Sequence, residues 1–313
     1  MVATVAADVL ARGIAFPARA EGRLWSRHRS ALNIIVEDSR ELVSVVARPD
    51  GMTTSSVLVR VTSGPCDLRE LVVADRCDVS IRPARLCFGS DLRIELAPSS
   101  PVSRYDGRIE PATGMDVASV VDAVVADLVD AICATAPGRG LAPIARLLRE
   151  PDSGRAADTT AASTCFVNEA RRVLAPPPGI PCAGAIDRLV GLGEGLTPSG
   201  DDFVVGALAA WSLAGAPPIP DITRARIVAS TDETTLPGAT VVRQAVRGRY
   251  PAYLIRFATE IRIVCAGLAA GRVAGGVLRR RIAAAVRCAA NHGHTSGIDA
   301  VTGFAFGLTT ARS

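Results

Sequence analysis

The sequence predicts an α+β protein, with a β-rich N-terminal region over residues 1–112 and a mostly helical domain over 113–313. Three observations lead there. Before residue 112, short β-branched and apolar runs alternate with turn residues. After residue 115, apolar residues recur at three- and four-residue spacing. The helical half also writes one helix start twice, about a hundred residues apart.

In the first region, "SALNIIVED", "ELVSVVARPDG", "SSVLVRVTSG" and "DLRIELAPSS" read as strands, and "PDG" at 49–51 reads as a turn. "PARLC" and "PVSRYDGRIEP" read as irregular connections. The opening "MVATVAADVLARGIAFPARA" has a faint resemblance to a secretory leader. Asp8 and Arg12 interrupt its apolar part, and no positive charge precedes it, so a cytoplasmic protein is expected.

In the second region, "MDVASVVDAVVADLVDAICATA" places Val117, Val120, Val121, Val124, Val125 and Leu128 along one helical stripe. "GLAPIARLLRE" and "ADTTAASTCFVNEARRVLA" continue in that style. Four prolines in "PPPGIP" at 176–181 exclude a regular element there. Further helices are expected at 183–190, 200–213, 222–230, 238–247, 279–290 and 297–309.

Composition narrows the function. With 313 residues, 49% hydrophobic and 21% charged, the chain is globular and can bury a large core. Its longest apolar run, Phe203 to Ala214, is too short to cross a bilayer, so no membrane span is expected. Aromatics are only 4%, too few for stacking platforms, and the basic residues are spread along the chain, which argues against nucleic acid. All 35 basic residues are arginine, so neither a Schiff base nor a P-loop lysine is available. Cys66, Cys77, Cys87, Cys133, Cys165, Cys182, Cys265 and Cys288 are irregularly spaced without a CxxC, and read as buried small hydrophobes rather than a zinc or disulfide framework. No nucleophile elbow, dinucleotide turn or Walker motif occurs.

The repeated motif carries the functional signal. Its first copy is Thr197-Pro198-Ser199-Gly200-Asp201-Asp202-Phe203-Val204-Val205-Gly206, and its second is His294-Thr295-Ser296-Gly297-Ile298-Asp299-Ala300-Val301-Thr302-Gly303. Both contain Ser-Gly-x-Asp-x-x-x-Gly. The plain explanation is a capping box, with each serine accepting from the third helical amide and each acid reaching back. A cap does not call for Gly200 and Gly297 in the first turn, where glycine costs stability. Nor does it call for Gly206 and Gly303 four residues past the acid, where space opens for a ligand or another backbone.

The lead-in "GLGEG" lets the main chain approach something small, with Gly195 nearest the motif. Free amides at two helix starts attract anions, while aspartates accept from an amino group or ligate Mg²⁺. A carbamoyl or ureido compound has both characters. Between the copies, "STDETTLPGATVVRQAVRGRYP" places Arg243 and Arg247 at i, i+4, which suits either an anion clamp or a solvated face. "NHGHTSG" puts His292 and His294 just before the second copy, where His294 could serve as a hydrogen-bond donor, a general acid or simply a loop residue. No third nitrogen or sulfur ligand accompanies them, so no metal site is assigned.

"GLGEGLTPSGDDFVVGALAA" together with "GHTSGIDAVTGFAFGL" resembles the bacterial AllH family, associated with oxamate carbamoyltransferase of anaerobic allantoin breakdown. The resemblance covers most of the chain, weakly in "HRSALNIIVEDSRELVSVVARP" and most specifically in "GLTPSGDD". That family usually has proline where Glu194 stands, and a serine at Gly238 or a neighbour. The resemblance implies a subunit of an enzyme that exchanges a carbamoyl group between phosphate and oxamate. It also implies an FdrA-type subunit and another companion.

Under that reading Asp202, Asp299 and His294 are the catalytic candidates. Gly195, Thr197, Ser199, Gly200, Asp201, Thr295, Ser296, Gly297 and Arg243 line the substrate. The amides of Gly200 and Gly297 would face developing oxyanion charge. No cofactor is assigned, and Mg²⁺ is the one the aspartates could accept. Two rivals stand beside it: a Mg²⁺-dependent hydrolase acting alone, and a non-catalytic structural or ligand-sensing subunit that assembles through the helix faces around Trp211 and Phe304.

Overall fold

A computed structural model of the chain describes residues 2–39, 41–112, 117–148, 182–216, 220–271 and 275–311. It forms two compact units, Met1–Gly107 and Arg108–Ser313. The helix expected at 157–175, the proline run and Cys165 lie outside the described residues.

The first unit is a closed eight-stranded barrel. Its strands are β1 (Ala3–Gly13), β2 (Ala20–His28), β3 (Ala31–Val36), β4 (Leu42–Val46), β5 (Ser56–Ser63), β6 (Asp78–Arg82), β7 (Arg85–Phe88) and β8 (Leu92–Tyr105). They run in the order β1-β5-β4-β3-β2-β6-β7-β8, and β8 closes onto β1. The β1–β8 and β4–β5 pairs are parallel and the others antiparallel. Alternate residues point inward, as pleating requires: Val5, Ala7 and Val9 on β1, then Leu32, Ile34 and Val36 on β3. With Leu24, Val57, Ile81, Leu86 and Phe88 they fill the interior, so this barrel is a packed core and not a channel.

The opening residues form β1, bonded on both sides. One expectation fails here, that of two irregular connections. "PARLC" supplies β7, and "PVSRY" continues β8. "PDG" is a single 3₁₀ turn, Pro49–Gly51, as its composition indicates.

The second unit contains α1 (Val117–Thr135), α2 (Ser199–Ala214), α3 (Asp221–Ser230), α4 (Leu236–Val246), α5 (Ala252–Ala269), α6 (Gly275–Ala290) and α7 (Ser296–Thr310). Two segments expected as helices, Ala142–Leu148 and Cys182–Leu189, are 3₁₀. Helix α5 was not anticipated. No described helix is long and apolar enough to cross a membrane.

Helices α2 and α7 form the centre. Both are apolar on every side and buried nearly throughout, which is how such a helix avoids water. They cross in direct contact. A Cβ on Gly206 would overlap the carbonyl oxygen of Ala300, one on Gly303 that of Phe203, and one on Gly307 that of Ala207. The space opened by Gly206 and Gly303 is therefore taken by backbone, not by a ligand. Phe203 and Phe306 pack with ring centroids 5.3 Å apart, and the Trp211 indole donates to Thr310 Oγ1 at 2.9 Å. Trp211 and Phe304 are internal, so they do not form the assembly face expected of them.

Helix α6 is amphipathic. Leu278, Ile282, Ala285, Val286 and Ala289 face inward, while Arg279 pairs with Asp127 and Arg281 with Glu260 on its outer side. Among the six described free cysteines only Cys265 is buried, and Cys66 and Cys288 are exposed. The expectation of mostly buried thiols is corrected accordingly.

Candidate functional site

The two copies of the motif begin α2 and α7 and meet at the crossing. Ser199 and Ser296 are the first residues of their helices, the N-cap positions belong to Pro198 and Thr295, and neither N-cap side chain makes a capping hydrogen bond. The serines look across instead of along. The Ser199 hydroxyl bonds the carboxylate of Asp299, and the Ser296 hydroxyl bonds that of Asp202. The capping box is thus replaced by a reciprocal exchange between helices. Thr197 joins from the first copy, sharing a 2.9 Å hydrogen bond with Ser296 Oγ and also bonding Asp202.

Gly200 and Gly297 play matched packing roles. A side chain on Gly200 would overlap the Leu189 carbonyl, and one on Gly297 the Ala289 carbonyl. Their amides are engaged too: Gly200 N–H donates to Leu192 O at 2.9 Å and Gly297 N–H to His292 O at 3.0 Å. The expectation that these amides would receive an oxyanion is corrected, since both already have acceptors.

The carboxylates are deeply buried, with Asp201 and Asp299 0% exposed and Asp202 4%. Each has a different environment. Asp201 turns away from the other two. Its Oδ1 accepts from Gly191 N–H at 2.8 Å and its Oδ2 from the Thr234 hydroxyl at 2.5 Å. Burial raises its pKa, and those two donors pull it partly back. Gly238, where the resemblance leads one to expect a serine, lies against Asp201: a Cβ there would overlap Oδ2. In this chain the missing side chain makes room for the acid. Thr235 is the true N-cap of α4, accepting from Gly238 N–H at 3.1 Å.

Asp299 Oδ1 accepts from Leu141 N–H at 2.6 Å. Burial pushes its pKa up to about 6, opposed by hydrogen bonds from Ser199, Leu141 and Thr295 and by the charge of Arg139. Asp202 is driven well above the ordinary carboxylate range, first by burial and then by the charge of Asp299. One oxygen of each, Oδ2 of Asp202 and Oδ2 of Asp299, is buried with no hydrogen-bond partner. Such orphans are rare because they forgo about 1–3 kcal/mol each. Of the two, Asp202 therefore holds a proton more firmly than Asp299.

The remaining candidates lie around this pair without all joining it. Thr295 is partly buried beside Asp299. Gly195 sits in the exposed loop at φ +103°, a backbone that glycine adopts at little cost. The His294 side chain is exposed, and its carbonyl accepts from Arg139. Arg243 turns to Thr231 Oγ1 at 2.9 Å and Asp232 Oδ1 at 3.1 Å, bracing the turn before Thr234 rather than reaching the carboxylates.

Sequence reading missed several contributors. Tyr253 of α5 is buried, and the charges of both Asp202 and Asp299 help hold its phenol well above its usual pKa. Its ring stacks on His292 at 4.0 Å. Thr234, Arg139 and the amides of Gly191 and Leu141 complete the surroundings. "GLGEG" hinted at Gly191 through its glycines, and the polar segment between the motif copies contained Thr234. Among the described residues no group of three or more His, Cys, Asp and Glu side chains is placed to hold a metal ion.

The site is a crossed helix pair with two buried aspartates, Asp202 and Asp299, at its helix starts. The family model described as "Oxamate carbamoyltransferase subunit AllH" matches residues 189–308, which run from the turn before α2 through nearly all of α7. The match thus spans both motif copies, Thr234 and Tyr253. No curated protein and no solved structure matches the chain.

Proposed function

We propose that the chain is a subunit of a carbamoyltransferase of the oxamate type, and that Asp202 and Asp299 bind the carbamoyl or amide group. The observation that carries this reading is the pair of buried carboxyl oxygens without hydrogen-bond partners, Oδ2 of Asp202 and Oδ2 of Asp299, on two groups of unequal proton affinity. A primary amide presents the complement of such a pair. Its carbonyl oxygen accepts from Asp202 and its amino group donates to Asp299. Thr197, Thr295 and Ser296 line the approach from the loop face.

In the forward direction the oxamate nitrogen attacks the carbamoyl carbon, the carbon–oxygen bond to phosphate breaks, and oxalurate and phosphate form. Asp299 would take the proton that the nitrogen loses, and Asp202 would hold the carbamoyl oxygen as negative charge develops there. The phosphate must be held outside this pair, because Arg243 is engaged elsewhere. That need points to companion subunits, an FdrA-type chain among them. The setting is nitrogen recovery from purine-derived ureides in the cytoplasm.

The burial of all three aspartates favours a second reading, in which the pair only fixes the crossing and this subunit carries no chemistry. Calorimetry separates them. Oxamate, carbamoyl phosphate and oxalurate are titrated into the chain alone and assembled with its companions, with Asp202→Asn beside it. Saturable binding of a carbamoyl compound that Asp202→Asn weakens at least about tenfold supports the transferase site. Unchanged turnover of assembled Asp202→Asn would leave the structural reading.

A further inference from the structure

At the other end of α2 lies a cavity of about 260 Å³, bounded by the C-terminal turns of α2 and α4, the segment from Arg247 to Tyr250, and Arg224 of α3. Trp211, about nine residues and roughly 14 Å along the helix from Asp202, is in its wall. It therefore stands apart from the carboxylate pair. Leu208, Val246 and the Trp211 indole supply apolar surface. Tyr250 closes the polar part of the wall: its hydroxyl donates to Leu208 O at 2.9 Å and shares a 2.7 Å hydrogen bond with Ser212.

Arg224 and Arg247 both line the same cavity, and among the described residues no acidic one does. Arg224 Nε is buried and has no hydrogen-bond partner. Elsewhere in this unit, Arg226 makes three hydrogen bonds to Asp187, and Arg243, Arg279 and Arg281 are each bonded to a carboxylate. Two like charges around one small space repel each other, and a buried donor without an acceptor costs free energy. An anion corrects both. Guanidinium favours planar oxyanions that accept two parallel bonds, and the indole and aliphatic wall favours a hydrocarbon part.

We propose that this cavity is a binding site for a small organic carboxylate with an apolar body, held by Arg224 and Arg247 against Trp211. The volume lies just below the usual range of ligand pockets, about 300–1,000 Å³, which suits a small ligand. Binding here is independent of the carboxylate pair and of the reaction proposed for it.

The test uses the full chain carrying Trp25→Phe, so that Trp211 is the sole tryptophan and reports on the cavity by fluorescence. Isobutyrate, acetate, isobutyramide and inorganic phosphate are titrated at constant ionic strength. The expected result is a saturable change with isobutyrate, at least about tenfold weaker binding of neutral isobutyramide, and weaker binding of acetate. Arg224→Gln and Arg247→Gln each weaken isobutyrate about tenfold, and Asp202→Asn leaves it unchanged. Equal binding of isobutyramide, indifference to both arginine substitutions, or no saturable change would overturn the proposal. Phosphate binding as well as isobutyrate would overturn the apolar part of it.

Discussion

The two helix starts share a backbone plan and differ in their acids. Each has a glycine pressed on a carbonyl, a serine aimed at the opposite helix, and an aspartate one turn in. Yet Asp299 accepts a backbone N–H, from Leu141, while the hydrogen bonds to Asp202 come from hydroxyls. Burial raises both; Leu141 N–H and the charge of Arg139 offset it at Asp299, while the charge of Asp299 adds to it at Asp202, so Asp299 is the readier carboxylate. The first copy also carries Asp201, whose place in the second is taken by Ile298, and it uses this extra acid to tie in Thr234 and the Gly191 turn. A repeated motif can thus hold matched geometry and unmatched proton affinity.

The strongest way to break the symmetry is at the crossing itself. Gly303→Ala would drive a methyl into the Phe203 carbonyl, and a loss of about 4 kcal/mol is expected, read as a large drop in Tm. Gly275→Ala, with nothing near the new atom, should leave Tm level or higher.

The next effect sharpens the difference between the acids. Asp299 titrates near 6 in the folded chain and near its ordinary 3.8 when unfolded, so the folded state binds more protons between those values. The stability this confers is present at low pH and is lost as pH rises from about 4 through 6. Asp299→Asn removes the penalty of charging a buried group. It should stabilise the chain by about 3 kcal/mol at pH 7 and have little effect at pH 4, flattening the profile of Tm against pH.

The smallest effect tests who bonds whom. Ser199→Ala and Asp299→Asn should couple by about 1 kcal/mol in a double-mutant cycle, whereas Ser199→Ala and Asp202→Asn should be nearly additive. The reverse pattern would restore the capping box.

Much of this was legible. The β-rich runs and helical spacing gave the architecture, and the duplicated Ser-Gly-x-Asp located both helix starts within a residue. What could not be read was tertiary. Ser199 and Asp202 have the spacing of a cap whether or not they make one, and only packing shows that each serine serves the other helix. Strand β7 is four residues long and is held by neighbours on both sides rather than by local propensity. Strand β1 resembles a leader because an inward-facing strand and a leader are both rich in alanine and valine. The amide of Gly200 looks free in a sequence, since its acceptor, Leu192 O, lies in a loop whose path the letters do not show.

The cross-exchange has a bearing on how the chain folds. Neither helix start can satisfy its serine and aspartate until the other has arrived, and the two lie about a hundred residues apart. The ordering entropy of that long loop must be spent before the reward is collected. This mostly helical unit therefore has a central contact as remote along the chain as those of a β-sandwich, and its last folding step should be correspondingly slow and all-or-none.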